Sequence, residues 1–141
     1  MKRETRFKQP IAKIKKRLHG KVSRYVRLSN AIDGMCTCCT CGKQMVWNEG
    51  CHAGHLYERY LPWTAFDLRN IDPQCENCNS YAGGHAARHA FFALKKHGQD
   101  VLEELDTLSR KQDLRTSVER KDWLLDIEDD IDEKLKGLTD E

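Results

Sequence analysis

The stretch that decides the fold runs CTCCTCGKQMVWNEGCHAGH over residues 36–55 and resumes as NIDPQCENCN over residues 70–79. It contains a C-x-x-C pair at Cys75 and Cys78, and the upstream run of cysteines offers a second pair of the same spacing. A C-x-x-C turn places both sulfurs on one side of a tight loop, so two such turns can complete the tetrahedral shell of a structural Zn²⁺. We therefore expect a structural zinc ion to tie the two segments together.

The upstream run allows two frames, Cys36 with Cys39 and Cys38 with Cys41. We favour the second frame because Gly42 follows it, and glycine relaxes the turn in which backbone N–H groups approach the sulfurs. The sequence by itself does not decide between the frames. The predicted zinc ligands are Cys38, Cys41, Cys75 and Cys78.

Two alternatives for the cysteines stay open. Cys51 could join His52 or His55 in a different zinc site, and all seven cysteines could be ordinary buried residues. An odd number of cysteines cannot all pair as disulfides, and clustered cysteines are typical of metal sites in a reducing compartment. The charged first ten residues also lack the apolar stretch of a secretory signal. These features favour a cytoplasmic protein.

The residues around the cysteine pairs follow an informative order. The H-A-G-H motif of residues 52–55 precedes a fourteen-residue excursion to Asn70, and Asn79 directly follows the last cysteine. This order resembles the H-N-H nucleases, whose site is two short strands and a helix around one divalent ion. Together with C-x-x-C-G and a later G-H, it is more closely similar to the NinG (Rap) family of phage recombination endonucleases over about residues 20–100. The resemblance implies an α+β fold, with a small zinc-stapled ββα-metal (H-N-H) core and helical N- and C-terminal extensions.

The resemblance and the chemistry of phosphodiester hydrolysis give three residues a catalytic role. His55 is the expected general base, because a neutral imidazole can deprotonate water near pH 7. Asn70 is expected to hold the imidazole or its loop by hydrogen bonding. Asn79 is expected to bind a catalytic Mg²⁺ or Mn²⁺, the Lewis acid that stabilises charge on the phosphorane and the leaving oxygen.

The ligands of that ion depart from the family pattern at one position. Many H-N-H nucleases carry Asp directly before the base, where this chain has Gly54. His52 is the expected substitute, although a regular strand would place it on the face opposite to His55. A β-bulge at Ala53-Gly54 would reconcile the two positions.

Two more histidines, His85 and His89, lie four residues apart on the following predicted helix and would share one face of it. Histidines beside Phe91 and Phe92 are also often residues of a core edge, so a structural role is the alternative. The predicted ligands of the catalytic ion are His52, Asn79 and His85, with His89 as a second helical candidate.

Charge is unevenly distributed along the chain. The first thirty residues hold eleven Lys/Arg and one acid, the next sixty-eight hold six of each, and the remainder holds seven bases and fifteen acids. We therefore expect a basic helical DNA-binding arm (1–33), the zinc-bound nuclease core (34–98) and an acidic helical tail (99–141). A helical period runs through the arm, with a break expected at His19-Gly20. The predicted phosphate contacts are Lys13, Lys15, Lys16, Arg17, Lys21, Arg24 and Arg27.

The acidic tail carries an apolar stripe, formed by Leu124, Ile127, Ile131 and Leu135. Resolving a branched DNA takes two cuts and one chain supplies one site, so the stripe is predicted to form a homodimer. The alternatives are that the stripe packs on its own domain, or that the acidic helix shields the basic arm within one chain.

The excursion before Asn70 contains four aromatic residues: Tyr57, Tyr60, Trp63 and Phe66. Such residues usually pack a long loop on the core. One or two of them could instead wedge against unstacked bases of a branched DNA.

The longest apolar run, Ala90 to Leu94, is far too short to cross a bilayer, which argues against a membrane protein. The resemblance as a whole implies a metal-dependent endonuclease that cuts branched recombination intermediates, Holliday junctions or D-loops. DNA and phage recombination proteins are the expected partners, and the bacterial host cytoplasm is the expected location. The alternatives are a non-catalytic zinc-stabilised DNA-binding module and an H-N-H endonuclease that acts on ordinary duplex DNA.

Overall fold

The computed structural model describes residues 1–81 and 85–139 of the chain. It divides into two compact units: a central unit of residues 26–112, and a terminal unit that combines residues 1–25 with the described part of residues 113–141. These boundaries differ from those expected from charge alone. The basic arm and the last part of the acidic tail share the terminal unit, whereas the first part of the tail belongs to the central unit.

The strands form two small antiparallel sheets, and helices lie on both sides of them in the chain. The elements in chain order are α1 (Arg3–Phe7), α2 (Ile11–Ser29), β1 (Met35–Thr37), β2 (Gln44–Val46), β3 (Cys51–His55), β4 (Ile71–Cys75), α3 (Glu76–Ser80), α4 (Ala86–His97), α5 (Gln99–Ser109) and α6 (Ser117–Thr139). A 3₁₀ turn, Leu68–Asn70, directly precedes β4. This mixture of helices and small sheets agrees with the predicted α+β class.

The helix α2 is continuous rather than broken. Pro10, which has no backbone N–H, separates it from α1, and Ile14, Leu18 and Val22 line its buried face at helical spacing. The predicted break at His19-Gly20 is wrong. One glycine inside a helix costs about 1 kcal/mol, which is less than the burial of the two flanking apolar side chains contributes.

A buried carboxylate joins the helices of the terminal unit. Glu128 of α6 is fully buried, and its Oε1 accepts hydrogen bonds from Arg6 Nη1 (2.7 Å) and Arg17 Nη2 (3.0 Å). Lys21 Nζ lies 3.2 Å from Oε2 of the same carboxylate. Burial by itself would favour the neutral acid, but these cations lower the pKa of Glu128 to about 2. The acidic helix thus neutralises part of the basic arm within one chain.

The packing of the terminal unit also covers the apolar stripe of α6. Leu124 and Ile131 are each 1% exposed, and their neighbour Leu125 is fully buried. The other two stripe residues, Ile127 and Leu135, are half-buried. The stripe therefore packs on its own unit, as the first alternative anticipated, and it gives a homodimer no support.

The central unit is built on two antiparallel hairpins. In the first, Cys36 of β1 pairs with Met45 of β2. In the second, β3 and β4 pair residue by residue from Cys51 opposite Cys75 to His55 opposite Ile71. The buried cluster at these hairpins consists of Cys36, Cys38, Met45, Cys51, Cys75 and Cys78. Sulfur-bearing side chains thus form most of this part of the core. Among the described residues, no helix is both long enough and apolar enough to span a bilayer.

The buried carboxylate gives a stability prediction. Glu128→Gln should destabilise the terminal unit by about 3 kcal/mol, because the cations that face it lose their compensating charge. Native-state hydrogen exchange of the α6 amides measures this free energy. The pKa of Glu128 is lower in the folded chain than its ordinary 4.5, so the wild-type advantage should be complete above pH 4.5 and decline as the pH falls toward 2.

The matched control for this prediction is Glu133→Gln, which removes an exposed acid from the same helix. It should change the stability by less than about 0.5 kcal/mol. Equal stabilities of Glu128→Gln and wild type at pH 7 would contradict the role of the buried carboxylate.

Candidate metal centre and active site

Four cysteine sulfurs, those of Cys38, Cys41, Cys75 and Cys78, lie within 4.8 Å of one another. Two sulfurs bound to one zinc ion at 2.3 Å and the tetrahedral angle are about 3.8 Å apart. The Cys41 and Cys75 sulfurs are separated by 3.8 Å. The donor set and its spacing therefore fit a structural zinc ion, and the upstream frame in the cluster is the favoured one, Cys38 with Cys41.

Local backbone geometry builds each cysteine pair. In the upstream pair the Cys38 N–H donates to the Lys43 carbonyl and the Gly42 N–H donates to the Cys38 carbonyl. This turn needs a φ of 78° at Gly42, a left-handed conformation that a Cβ disfavours. In the downstream pair Cys75 caps α3, and its sulfur accepts a hydrogen bond from the Cys78 N–H. Both turns thus aim their sulfurs through short-range hydrogen bonds.

The surroundings of the clustered thiols act on their pKa values in different directions. Burial disfavours the thiolate of Cys38, but hydrogen bonds from the Cys75 backbone and the Thr40 hydroxyl lower the pKa of Cys38 to about 6. At Cys78 the Thr40 hydroxyl also favours the thiolate, whereas burial and the neighbouring thiols together raise the pKa to about 12. A divalent cation resolves this conflict, because it takes the place of the thiol protons.

The other three cysteines, Cys36, Cys39 and Cys51, are buried free thiols outside the cluster. Burial raises the pKa of each, that of Cys51 to about 12, so they remain protonated. Within residues 1–81 and 85–139, the four-cysteine cluster is the only group of three or more His, Cys, Asp or Glu side chains placed to hold a metal. The alternative zinc site of Cys51 with His52 or His55 is therefore not formed.

His55 ends β3, and its ring is held by the excursion that follows. Its Nε2 lies 2.9 Å from the carbonyl oxygen of Ala65. Because a carbonyl oxygen only accepts, Nε2 carries the proton and Nδ1 is the basic nitrogen of the neutral ring. Burial lowers the pKa of His55 below the ordinary 6.5; the hydrogen bond to Ala65 opposes this shift, and the positive charge of Arg59 adds to it. The neutral ring therefore predominates at pH 7.

Asn70 holds the loop on which this geometry depends. The fully buried side chain accepts a hydrogen bond from the Tyr57 N–H (2.8 Å) and donates to the carbonyls of Tyr57 and Thr64 (3.0 Å each). Thr64 directly precedes Ala65, whose carbonyl faces His55. Of the two roles that the sequence left open for Asn70, these bonds correspond to fixing the loop.

The hairpin itself shows why Gly54 replaces the expected aspartate. The predicted bulge at Ala53-Gly54 is absent, because β3 and β4 pair one to one along their whole length. A Cβ at Gly54 would collide with the buried side chain of Gln74, so an aspartate has no room there. Without a bulge, His52 is exposed and lies on the face opposite to His55.

The three predicted ligands of the catalytic ion, His52, Asn79 and His85, are each exposed and lie in different settings. His52 is on β3, Asn79 is on α3, and His85 directly precedes α4, where its ring stacks on Tyr81 with centroids 5.8 Å apart. Because α4 begins after His85, this residue does not share a helical face with His89 as expected.

His89 belongs instead to a buried ion-pair cluster that the sequence patterns did not indicate. Its Nε2 donates to Oδ2 of Asp72 (2.9 Å), and Lys96 Nζ lies 2.9 Å from Oδ1. Burial favours the neutral form of Asp72, yet these two partners hold the pKa of its carboxyl below its usual range. The cluster ties α4 to β4. A carboxylate inside the fully buried strand Ile71–Cys75 is the signal that could have revealed it.

The aromatic residues of the excursion mostly pack, as the first interpretation held. Phe66 is buried, and Tyr57 and Trp63 hydrogen-bond to α5 and to the segment that follows it. Tyr60 is 73% exposed and is the one member of the set whose position suits contact with a ligand.

The predicted phosphate contacts fall into two groups. Arg17 and Lys21 form ion pairs with Glu128, and Arg27 donates a hydrogen bond to the Trp47 carbonyl. These three side chains are therefore committed to contacts within the chain. The remaining four, Lys13, Lys15, Lys16 and Arg24, are exposed.

The cysteine cluster gives a direct prediction. The purified chain should contain one zinc ion, and Cys41→Ser should lose it, because a structural site needs all four ligands. Elemental analysis after gel filtration measures the metal, and chelation should lower the thermal stability of the central unit. Cys39→Ala, a change in the same turn but outside the cluster, should retain the metal. A metal-free wild type, or unchanged zinc in Cys41→Ser, would refute the site.

Comparison with known proteins assigns the chain to a family. No curated protein matches the chain, and no solved structure does. A family model described as Bacteriophage Lambda NinG protein matches residues 1–141. The match covers the terminal unit as well as the central unit, and so extends beyond the residues that carry the sequence motifs. The chain therefore belongs to the NinG family of bacteriophage proteins.

Proposed function

We propose that the chain is a metal-dependent DNA endonuclease that cuts branched recombination intermediates such as Holliday junctions and D-loops. The observation that carries this proposal is the setting of His55. Its Nε2 donates to the Ala65 carbonyl, in a loop that Asn70 holds by three hydrogen bonds. This arrangement sets the tautomer and the direction of the ring, as a general base requires.

The proposed reaction is hydrolysis of a phosphodiester bond. Nδ1 of His55 takes a proton from a water molecule, and the water oxygen attacks phosphorus. The bond from phosphorus to the leaving oxygen breaks, and that oxygen keeps the electron pair and takes a proton from solvent water. The lowered pKa of His55 keeps Nδ1 unprotonated at pH 7, so the base is ready before substrate binds. The role of Asn70 is to hold the loop, and it need not touch the reacting atoms.

The requirement for Mg²⁺ or Mn²⁺ is part of the proposal and follows from the family resemblance. The predicted ligands His52, Asn79 and His85 lie on three different elements, and we assign no residue to the ion. Mg²⁺ usually keeps several water ligands and takes others from substrate phosphates. The ion requirement is therefore to be measured with DNA present.

Membership of a phage family and the exposed lysines of α2 support DNA as the substrate. Phage recombination proteins as partners and the host cytoplasm as the location belong to the same proposal. Paired cuts across a junction would need two copies of the chain. Because the stripe of α6 is covered within its own unit, a homodimer would have to use another surface or assemble on the DNA.

A second candidate is a non-catalytic zinc-stabilised module that binds DNA. Among the described residues, the four cysteines are the only group of three or more His, Cys, Asp or Glu side chains placed to hold a metal, which favours this candidate, since a binding module needs no catalytic ion. A third candidate is an endonuclease that cuts ordinary duplex DNA. Cleavage assays on a four-way junction and on a linear duplex of matched length separate all three.

The catalytic prediction concerns His55. His55→Ala should lower junction cleavage in Mg²⁺ or Mn²⁺ by about 10²- to 10⁴-fold, the usual contribution of a general base. Junction affinity should change little, because the base acts on water. In the wild type the acid limb of the pH profile should have its midpoint below pH 6.5, since the neutral ring persists to lower pH than in an ordinary histidine.

His52→Ala is the matched control on the same strand and should cleave like the wild type, because His52 faces away from His55. Zinc content verifies the fold of both variants. If His55→Ala cleaves at the wild-type rate, the base is misassigned. If the wild type binds DNA but cuts neither substrate, the binding module is the better description.

A further prediction concerns the basic arm. Lys13→Gln combined with Lys16→Gln should weaken binding to junction and duplex alike, and should reduce the slope of log affinity against log salt by about 2. For each phosphate contact that is lost, DNA binding releases about one counterion fewer. Lys134→Gln with Lys136→Gln, the same charge change on acidic α6, is the control and should leave the slope unchanged. Equal slopes for all three proteins would mean that the arm is only a solvated helix.

A further inference from the structure

We infer that the outer face of α4 binds an unstacked nucleobase, which lies against the ring of Phe91 while flanking phosphates contact Arg88 and Lys95. The inference rests on the proposed function in one respect, that the ligand is DNA. It does not depend on catalysis, and it names a contact surface distinct from His55 and from the basic arm.

The exposure of Phe91 is the first observation. The inner face of α4 carries His89 and Ala93, both buried against the central unit, whereas Phe91 is 67% exposed. Burial of a phenylalanine side chain usually contributes about 1.5–3 kcal/mol, and this ring forgoes most of that gain. A single exposed aromatic residue is common on protein surfaces, so the charges and the shape around the ring decide whether it suits a ligand.

The charges around the ring are the second observation. Arg88 and Lys95 stand one turn before and one turn after Phe91, so all three share one helical face. Both cations are exposed, and within the described residues neither takes part in an ion pair. The helix from Ala86 to His97 contains no acidic side chain. The face therefore presents an aromatic ring between two uncompensated positive charges.

The shape of the surface is the third observation. Phe91, Phe92, Arg88 and Lys95 line a shallow depression of about 240 Å³, which Cys39 and Thr40 of the upstream cysteine turn close on the other side. The helix α4 is fixed at this depression, because its residues His89 and Lys96 both bind Asp72 of β4 at 2.9 Å. The backbone that carries Phe91 is thus fixed beside the upstream cysteine turn.

These features match the chemistry of a base that has left the helical stack. Stacking of a base on an aromatic side chain contributes about 1–3 kcal/mol for any base, and adjacent cations hold the phosphates on either side. The bases of an intact duplex keep their faces covered by neighbouring base pairs. The bases at a branch point or in a single strand do not, so the surface should discriminate branched from linear DNA.

The test uses the full chain with its zinc and a four-way junction that carries 2-aminopurine at the branch point, in Ca²⁺ to prevent cleavage. Phe91→Ala should weaken junction binding about tenfold or more and remove the fluorescence change that the wild type causes. Phe91→Tyr, which keeps an aromatic ring, should bind within about twofold of the wild type. Phe91→Leu, which keeps only apolar volume, should resemble Phe91→Ala. Linear duplex affinity should change less than twofold in all three variants.

Val118→Ala, a change at a 57% exposed apolar position on α6, is the control and should bind normally. Thermal unfolding should be unchanged in each variant, since Phe91 contributes little to the core. Wild-type junction binding by Phe91→Ala, or by Phe91→Leu, would overturn the inference. A change in sedimentation of Phe91→Ala without DNA would also overturn it, because the ring would then serve a protein interface.

Cleavage measured in parallel separates this inference from the proposed function. A wild type that shows the Phe91-dependent signal without cutting DNA would support the stacking surface and refute the endonuclease. A wild type that cuts junctions through His55, with Phe91→Ala binding normally, would refute the stacking surface alone.

Discussion

Four sulfur atoms are the constraint on which the central unit depends. Five of the six buried residues of its core at the hairpins are cysteines, and a side chain this small buries little apolar area. Cys41 and Cys75 are 34 residues apart in the chain, so a bound zinc ion closes a long loop and its binding free energy becomes folding free energy. The strand β4 ends at Cys75, so the tie lies at the end of the strand that carries Asp72 and Gln74.

The short segment from Asn70 to Cys75 organises the rest of the unit. Asn70 fixes the loop that faces His55, Asp72 fixes α4 through His89 and Lys96, and Gln74 occupies the space beside Gly54. Buried polar groups are tolerated when their hydrogen bonds are made, and a satisfied network specifies one arrangement rather than several. The segment from Asn70 to Cys75 thus positions both the loop that faces His55 and the helix α4, which carries the proposed stacking surface.

Charge plays a different part in the terminal unit. The strong segregation of bases and acids along the chain suggests a basic arm open to nucleic acid. Much of the positive charge of the arm is neutralised within the unit, because Glu128 is buried among Arg6, Arg17 and Lys21. The lysines left exposed, Lys13, Lys15 and Lys16, are those on which electrostatic binding can depend. Composition therefore overstates the charge that the arm offers to a partner.

The sequence by itself determined the features that depend on neighbours along the chain. C-x-x-C spacing identified Cys75 with Cys78 and limited the upstream pair to two frames, and the helices of the tail follow from apolar periodicity. His55 and Asn70 were named by their order relative to the cysteines. Tertiary structure alone decided what those residues contact: the Ala65 carbonyl for His55, Asp72 for His89, and Glu128 for the arginines of the arm. It also decided that His52 faces away and that the α6 stripe is covered. These contacts join residues up to 122 positions apart, and a pattern of spacing along one strand or helix carries no information about which distant groups meet it.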